Sequence, residues 1–355
     1  MVVPAKPSDD RRAHAGERIP RETAGGGIAR LAVERARAGQ IDVQPLLRQA
    51  KLTARTLADP KERIPVARQI AFLKAVSERL GDEDLGFQLA READLREIGL
   101  IYYVAASSDN LERAFNHIQR YCRITNESIV VRTSFRPDWR IEVGYSGVAR
   151  HTDRHQIEFV MTALVRLCRE LTGRLLSPSR VAFAHVRSRH RAQYQRFLGC
   201  PVEFGTSSDV IVFPVRVRSL PVLNRDSHLN RILLDVCEQA LGARRSTLVW
   251  RIRVENAIGP LLPHGEARLR TIAEALGVSP RTLARRLADE GTTFSVVLDN
   301  MRHELATYYI GHLELPLSQI AWLLGFADSS AFTHAFRRWT GQAPRDARAD
   351  RLRHA

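Results

Sequence analysis

The sequence contains no long hydrophobic run, because no stretch of eighteen consecutive apolar residues occurs among its 355 residues. A membrane-spanning helix needs about 20 such residues, so we expect no membrane partner. The first segment, MVVPAKPSDDRRAHAGERIPRETAGGG, also lacks the apolar core of a secretory signal. Its proline, glycine and charge content predicts a flexible tail over residues 1–27 of a cytoplasmic protein.

The sequence contains only four cysteines, and none has the spacing of a redox pair. No C-x-x-C pair occurs, and no group of Cys and His residues has the spacing of a zinc site. We therefore expect reduced, buried thiols and neither a metal nor another cofactor. The nucleophile elbow G-x-S-x-G is absent as well, which argues against a serine hydrolase and favours a protein that is not an enzyme.

Lysine is scarce, with four residues against fifty arginines, although the net charge is +15. This ratio and the abundance of alanine are typical of a GC-rich coding bias, which raises arginine throughout a chain. The charge is not concentrated either, because residues 246–355 hold fourteen arginines and eleven acidic residues, a net charge of only +3. The charge therefore permits a polyanionic partner but does not locate one.

After the tail, the apolar spacing predicts an α+β domain over residues 28–223. Residues 64–80 and 110–121 have apolar side chains at the spacing of amphipathic helices. The period then changes to two, so ESIVVRTSF and WRIEVGYSGV predict two strands. A helix over 155–172, a strand in SRVAFAHVR, a helix in HRAQYQRFLGC and a strand in SDVIVFPV complete the mixed pattern.

Strand signals disappear after Leu229, and the remaining sequence predicts helices broken by glycine, proline and polar turns. The pattern predicts a connector within 224–248, with GARRSTL as the favoured linker sequence, and an all-α domain over 249–350. Two segments of this domain, IAEALGVSPRTLARRLADEG and IAWLLGFADSSAFTHAFRRWTG, share an initial Ile-Ala and a glycine five residues after the isoleucine. The repeat indicates two helix-turn-helix motifs, over about 269–290 and 317–340.

The first copy contains each local signal of this motif. Gly277 can adopt the left-handed conformation that ends the first helix. Ser279 is a natural N-cap, and Pro280 suits the first position of the second helix, which turns Leu283 and Leu287 inward. The second copy repeats the pattern with Ile320, Ala321, Leu324, Gly325, Phe326, Asp328, Phe332 and Phe336.

The outward face of each second helix is the candidate DNA-reading surface. Residues two steps either side of an inward residue lie about opposite it on a helix. Opposite Leu283 these are Arg281 and Arg285, and a guanidinium can bind guanine bidentately or bind a phosphate. In the second copy the corresponding positions are Ser330 and His334. With caps and flanking positions included, the candidate DNA-binding residues are Ser279, Arg281, Thr282, Arg285, Arg286, Ser329, Ser330, Thr333, His334 and Arg337.

The segment between the copies, FSVVLDNMRHELATYYIGH, has apolar side chains at helical spacing. An eighteen-residue helix spans about 27 Å at a rise of 1.5 Å per residue. With the supporting helices added, the two reading helices can reach successive major-groove faces about 34 Å apart. A single subunit is therefore expected to bind one side of double-stranded DNA.

Residues 250–350 resemble the DNA-binding domain of AraC/XylS-type transcription regulators. The resemblance lies in the two repeated segments, in MRHELA between them and in QAP after them. It implies base-reading positions at Arg281 and Arg285 in the first motif and at Ser330 and His334 in the second. The family often has Arg where His334 stands, so the second helix is expected to anchor phosphate. Ala347 also departs from the family, which usually has Tyr there; this change is expected to trim an apolar contact.

Residues 28–223 resemble the N-terminal domain of the subgroup that includes ornithine-utilisation regulators. The matching stretches are IPVARQIAFLKAVSERLGDEDLGFQLA, GLIYYVAASSDNLERAF and FLGCPVEFG. In that subgroup the region is called arabinose-binding-like, and the resemblance implies binding of a small-molecule effector or dimerisation. Side chains that could line an effector pocket, although each type is more often a core or surface residue, are Tyr102, Tyr103, His117, Tyr121, Arg132 and His155.

These features predict a nucleoid-associated, sequence-specific DNA-binding transcription regulator. The resemblance implies an effector-responsive activator, a homodimer formed through the N-terminal domain and a contact with RNA polymerase. Two alternatives remain open. One is a ligand-independent architectural or constitutive DNA-binding protein, against which ligand-dependent stabilisation would count. The other is a DNA-repair methyltransferase fusion with Cys200 as nucleophile, although a reactive thiol needs a cationic or helix-N-terminal setting and no Cys-His pair is visible.

Overall fold

A computed structural model describes residues 22–59, 62–187, 190–242, 250–311 and 315–353 of the chain. These residues form an α+β N-terminal domain followed by a helical domain with two helix-turn-helix motifs, which confirms the predicted fold class. No helix in the described ranges is both long enough and apolar enough to cross a membrane.

The N-terminal domain combines seven described strands with ten described helices. The strands are β1 (Thr23–Ala24), β2 (Ile64–Pro65), β3 (Ile129–Ser134), β4 (Trp139–Tyr145), β5 (Arg180–Phe183), β6 (Val202–Phe204) and β7 (Asp209–Phe213). The helices are α1 (Gly27–Ala38), α2 (Val43–Gln49), α3 (Ala54–Ala58), α4 (Val66–Leu80), α5 (Leu85–Glu92), α6 (Leu100–Ala106), α7 (Leu111–Tyr121), α8 (His155–Thr172), α9 (Arg191–Leu198) and α10 (Ser227–Gly242).

The helical domain follows in sequence order. Its helices are α11 (Trp250–Ile258), α12 (Leu269–Ala275), α13 (Pro280–Asp289), α14 (Phe294–Ile310), α15 (Leu317–Leu323), α16 (Ser329–Thr340) and α17 (Pro344–Arg353). Helices α12 and α13 form the first helix-turn-helix motif, and α15 and α16 form the second. Helix α14 joins them, as the apolar spacing of FSVVLDNMRHELATYYIGH predicts.

Five strands form one sheet in the order β3-β4-β7-β5-β6, in which only the β5–β6 pair is parallel. Burial alternates along β4, where Trp139, Ile141 and Val143 are buried, as expected for a strand with one face on the core. The Trp139 ring packs against Phe115 of α7 and Phe213 of β7. The strands predicted from the two-residue period are therefore present, whereas the short strand β6 was not predicted.

The predicted tail is wrong at its C-terminal end, because residues 22–27 have a defined structure. Strand β1 pairs with β2, and Ala24 is buried. The Arg63 side chain donates to the Thr23 hydroxyl and carbonyl oxygens, and Glu127 accepts from the Thr23 amide. These partners lie far away in sequence, so local composition could not reveal them. The remainder of the predicted tail, residues 1–21, lies outside the described residues.

The predicted connector over 224–248 contains helix α10, which packs on α6 of the N-terminal domain. Asn230 donates to the Val104 carbonyl oxygen and to the Ser107 hydroxyl, both at 2.9 Å, and Cys237 is fully buried. Tertiary contacts of one helix face therefore extend the N-terminal domain beyond the predicted boundary at 223. Most of GARRSTL lies outside the described residues.

The helical domain has two small apolar cores. The first lies under α12 and α13 and includes Ile272 and Leu283, and the second lies under α15 and α16 and includes Ile320 and Phe332. Leu305 of α14 packs against both cores. Each motif is thus stabilised by its own buried side chains, and α14 connects the two.

Candidate nucleic-acid interface

In the first motif, the capping residues predicted from sequence hold helix α13 in place. Gly277 has a φ of +68° at the bend, and the Ser279 hydroxyl accepts a hydrogen bond of 3.1 Å from the Thr282 amide. Leu283 and Leu287 are fully buried against the first core. Their burial directs the opposite face of α13 away from the protein.

The predicted DNA-binding residues in and next to α13 differ in the contacts that their side chains make within the protein. Arg281 and Arg285 are exposed, and neither makes an ion pair within the described residues. Arg286 is also exposed, but its guanidinium lies 5.8 Å from the Trp250 ring centre. The Ser279 and Thr282 hydroxyls are 2.9 Å apart and serve the cap. Arg281 and Arg285 are therefore the side chains of this helix most available to bases or phosphates.

The second motif repeats this construction with a different outward face. Asp328 caps α16 by accepting from the Ala331 amide at 2.8 Å, and Phe332 and Phe336 are buried. The Thr333 hydroxyl donates to the Ser329 carbonyl oxygen at 2.7 Å, so that hydroxyl is already used within the helix. The side chains that α16 exposes are Ser329, Ser330, His334, Arg337, Arg338 and Thr340.

Two charged residues of α14, Asp299 and Arg302, position the second motif, and the sequence pattern does not reveal them. The Arg302 guanidinium donates to the carbonyl oxygens of Leu324 and Gly325 at 2.9 and 3.0 Å and lies 4.7 Å from the Phe326 ring centre. It therefore satisfies carbonyl groups at the end of α15 that the helix leaves unpaired. MRHELA contains this arginine, but periodicity alone cannot show which backbone a long side chain will reach.

Asp299 of α14 fixes α16 from the other side. Its carboxylate accepts from the Arg338 guanidinium at 2.7 Å and from the Trp339 indole nitrogen at 2.9 Å. Both contacts join residues about forty positions apart in sequence. Helix α14 is thus a structural support for α16 as well as a spacer.

Two small residues, Gly325 in the second motif and Ala347 after it, have surroundings that bear on the predicted pattern. A Cβ atom on Gly325 would lie 2.2 Å from the Leu262 carbonyl oxygen, whereas one on Gly277 would meet nothing within 4 Å. Of these two glycines, only Gly325 therefore permits a close backbone contact, which joins the second motif to the segment between α11 and α12. Ala347 of α17, with Ile310 and Phe336, borders a hollow of about 300 Å³ beside the second core.

The six candidate effector residues do not converge on one pocket. Arg132 and His155 line a cleft of about 1250 Å³ between the N-terminal and helical domains. His155 is buried, and burial together with the nearby Arg154 charge lowers its pKa to about 3. Tyr121 instead donates to Glu238 of α10, and burial raises the pKa of Tyr121 to about 12. The remaining candidates, Tyr102, Tyr103 and His117, lie on α6 and α7.

Residues 145–154, which we call the docking segment, connect the N-terminal domain to the helical domain. Asn256 of α11 donates to the Tyr145 and Val148 carbonyl oxygens at 3.1 and 2.9 Å and accepts from the Arg150 amide at 2.7 Å. The same segment reaches α14 through two contacts: His151 with Glu304 at 2.7 Å, and Arg154 with the Tyr308 hydroxyl at 3.1 Å.

Buried charges hold the docking segment from inside the N-terminal domain. The Arg150 guanidinium binds both carboxylate oxygens of Asp209, at 2.5 and 2.7 Å, and approaches His185 at 3.2 Å. His185 contacts the buried Glu158 at 2.8 Å. Burial would raise the pKa of the Glu158 carboxyl, but the Arg187 charge and the His185 hydrogen bond hold it well below its usual value. A broken pair here would leave a buried charge unpaired.

Cys200 lacks the setting of a reactive thiol. It is buried, and burial raises its pKa to about 11 despite the nearby Arg169 charge. An activated cysteine instead has its pKa lowered by its surroundings. Among the described residues, no group of His, Cys, Asp and Glu side chains has the arrangement of a metal site.

Comparison with known proteins matches both parts of the chain to one family. Residues 41–222 match the N-terminal arabinose-binding domain of AraC transcription regulators, and residues 272–350 match a helix-turn-helix domain. The chain is 29% identical to the ornithine utilization regulator of Pseudomonas aeruginosa over 315 residues, 86% of this chain and 90% of that protein. It is 30% identical to the transcriptional regulator VirS of Mycobacterium tuberculosis over 285 residues, 79% of this chain and 83% of VirS.

Among solved structures, the transcriptional regulator CdpR of Pseudomonas aeruginosa is similar over most of its length. The similarity covers 91% of this chain and 98% of CdpR, at 21% identity and a TM-score of 0.43.

Proposed function

This chain belongs to the AraC family of DNA-binding transcription regulators, and we propose that it is an effector-responsive activator that acts as a homodimer. One observation supports this most strongly. The helices α13 and α16 both have exposed outward faces, and each packs on its own core. The domain that contains them is docked to an arabinose-binding-type domain. In this proposal α13 reads bases through Arg281 and Arg285, and α16 anchors phosphates through Ser330, His334 and Arg337.

The docking segment offers a route from effector to DNA. An effector that fills the cleft lined by Arg132 and His155 would touch the N-terminal domain beside the contacts of Asn256 and Glu304. It would shift the regulator toward one state only by binding that state more tightly. The changed docking would then alter promoter occupancy or contact with RNA polymerase.

Helix α10 supports the proposed homodimer. Its outer face exposes Leu229, Ile232 and Val236, which recur at the three- and four-residue spacing of a helix-packing seam. The opposite face is fixed to the N-terminal domain through Asn230 and Cys237. A second copy that packs on this seam would remove the three apolar side chains from water.

Genome-wide binding of the tagged protein is the first test. The proposal predicts discrete promoter sites that share a sequence motif, and binding spread evenly over the genome would contradict it. A thermal-shift screen then tests the effector claim with ligands suggested by the neighbouring genes. Because one relative is an ornithine utilization regulator, ornithine is the first ligand to include. Stabilisation by a ligand supports the sensor, whereas a screen without any stabilising ligand favours a constitutive DNA-binding protein.

A further inference from the structure

The two helix-turn-helix motifs do not share a core that would fix the distance between them. The first core includes Ile272 and Leu283, the second includes Ile320 and Phe332, and Leu305 packs against both. The relative position of α13 and α16 therefore depends on α14 and on contacts made from outside the two cores. The approach of Gly325 to Leu262 is one such contact within the helical domain.

The N-terminal domain supplies further contacts, and they reach both motifs. Asn256 lies on α11, which packs against α12 and α13 of the first motif, and its side chain makes three hydrogen bonds to the docking segment. Glu304 and Tyr308 lie in the half of α14 that leads to the second motif. Val186 of the N-terminal domain also belongs to the second core. One domain thus contacts both halves of the DNA-binding unit.

Hydrogen bonds and ion pairs within the N-terminal domain order the docking segment, so that it can hold α11 and α14 in place. Arg150 is bound at two points to Asp209, and the Asp153 carboxylate accepts from the Gln156 and Ile157 amides, in the first turn of α8, at 3.0 and 2.9 Å. The Tyr145 hydroxyl donates to Asp153 at 2.9 Å. A contact surface whose side chains are already ordered loses little conformational entropy when its partner binds.

We infer that the N-terminal domain braces the two motifs and thereby sets the spacing and helical phase at which α13 and α16 meet DNA. This inference rests on the proposed binding of DNA by both motifs. Asn256 and Glu304 are positioning residues in this account, because they act on DNA only through the placement of α13 and α16. The N-terminal domain therefore contributes to site selection without touching a base.

Base-pair spacing provides a measurement that simple loss of stability would not change. One inserted base pair moves the second half-site by about 3.4 Å and rotates it by about 35° relative to the first. A braced protein keeps its two reading helices at a fixed distance and loses one half of its contacts on the longer site. A protein without the brace can readjust, so it discriminates less between the two spacings.

The experiment uses the full chain and a duplex that the wild type selects from random sequence, with footprinting to locate the two contacted segments. Binding is measured by fluorescence anisotropy on this duplex and on one with a base pair inserted between the segments. The wild type is expected to lose about tenfold or more in affinity on insertion, and the Asn256→Ala/Glu304→Ala variant less than about threefold. Glu266→Ala removes an exposed acid of the same domain and should behave as the wild type.

The outcomes separate the brace from the proposed function. If the double variant loses as much affinity on insertion as the wild type, the brace is wrong and binding by both motifs stands. If the wild type itself binds both spacings equally, binding by both motifs fails and the brace with it. If the double alanine variant does not fold, Asn256→Asp is used in its place. This variant keeps the acceptor for the Arg150 amide and loses the donors to the Tyr145 and Val148 carbonyl oxygens.

Discussion

The Arg302 side chain on the helix between the two motifs donates to the Leu324 carbonyl oxygen at 2.9 Å, where the first helix of the second motif ends. The same guanidinium donates to the next carbonyl oxygen, that of Gly325, at 3.0 Å. A single arginine thus binds the bend that orients α16. The DNA-reading geometry of the second motif therefore depends on a residue outside it.

Arg302→Met should destabilise the helical domain. Methionine keeps much of the apolar stem but leaves two partly buried carbonyl groups without their donor, which costs about 1–3 kcal/mol of unfolding free energy. Urea denaturation followed by circular dichroism measures this loss. Arg270→Met, at an arginine on the outer surface of α12, is the matched control and should change the unfolding free energy little. Equal stability of the Arg302 and Arg270 variants would contradict the assigned role.

Gly277 and Gly325 occupy equivalent bends, and alanine at each should have different effects. Both have a φ of +68°, which costs a side chain about 1–2 kcal/mol. Gly325→Ala adds a clash with the Leu262 carbonyl oxygen, 2.2 Å from the new Cβ, whereas Gly277→Ala meets no atom within 4 Å. Gly325→Ala should therefore cost clearly more, about 3 kcal/mol or above. Equal unfolding free energies for the two variants would show that the close approach is unimportant.

Ile232→Arg should convert a dimer into a monomer. Ile232 lies in the middle of the exposed apolar seam of α10, so an arginine there would place two like charges in the seam of a symmetric dimer. Sedimentation velocity of the full chain measures the change. Leu175→Arg replaces an exposed apolar residue elsewhere and should leave the oligomeric state as in the wild type. A wild-type monomer, or a dimer that both variants retain, would refute this seam.

The buried histidines should make the protein less stable as the solution becomes acidic. The ordinary pKa of a histidine side chain is 6.5. Burial, together with the Arg154 charge, lowers the pKa of His155 to about 3. Burial also lowers the pKa of His185 to about 4, although the Glu158 carboxylate is bound to it. Below pH 6.5 the unfolded chain takes up protons that the folded chain refuses, so stability is lost as the pH falls toward 4. Each histidine contributes a loss of about 2 kcal/mol between pH 7 and 5.

The variant His155→Gln isolates one of these contributions. Its packing cost is read at pH 7.5, where both histidine and glutamine are uncharged in the folded and unfolded chains. The decline in unfolding free energy from pH 7 to 5 should then be smaller than in the wild type by about 2 kcal/mol. Parallel pH profiles for the two proteins would mean that His155 takes up its proton equally in both states.

The fold could be predicted where structure is local. Caps and bends such as Ser279, Gly277 and Asp328 act within four residues, so their spacing revealed both motifs. The helix over 155–172 has the bounds that its pattern predicts. Strand β1 and the packing of helix α10 on the N-terminal domain were not predicted, because they depend on partners such as Arg63 and Val104, which lie far away in sequence.

The candidate site divides in the same way. The outward positions of α13 and α16 follow from helical periodicity, and Arg281, Arg285, Ser330 and His334 are exposed there. Helical periodicity does not show which other side chains these residues contact. The Arg286 guanidinium, for example, lies over the ring of Trp250, which belongs to a different helix. The docking contacts of Asn256 and Glu304 connect two domains, and no pattern within either domain contains that information.

Base-resolved binding of the Arg285→Ala variant decides whether α13 reads DNA sequence. The affinities of the wild type and the variant are measured for the selected site and for every single-base-pair change in it, with Arg270→Ala as control. If α13 reads bases, Arg285→Ala should bind the selected site about 1–3 kcal/mol more weakly and lose preference at one base pair. An affinity profile identical to that of the wild type at every position would contradict it.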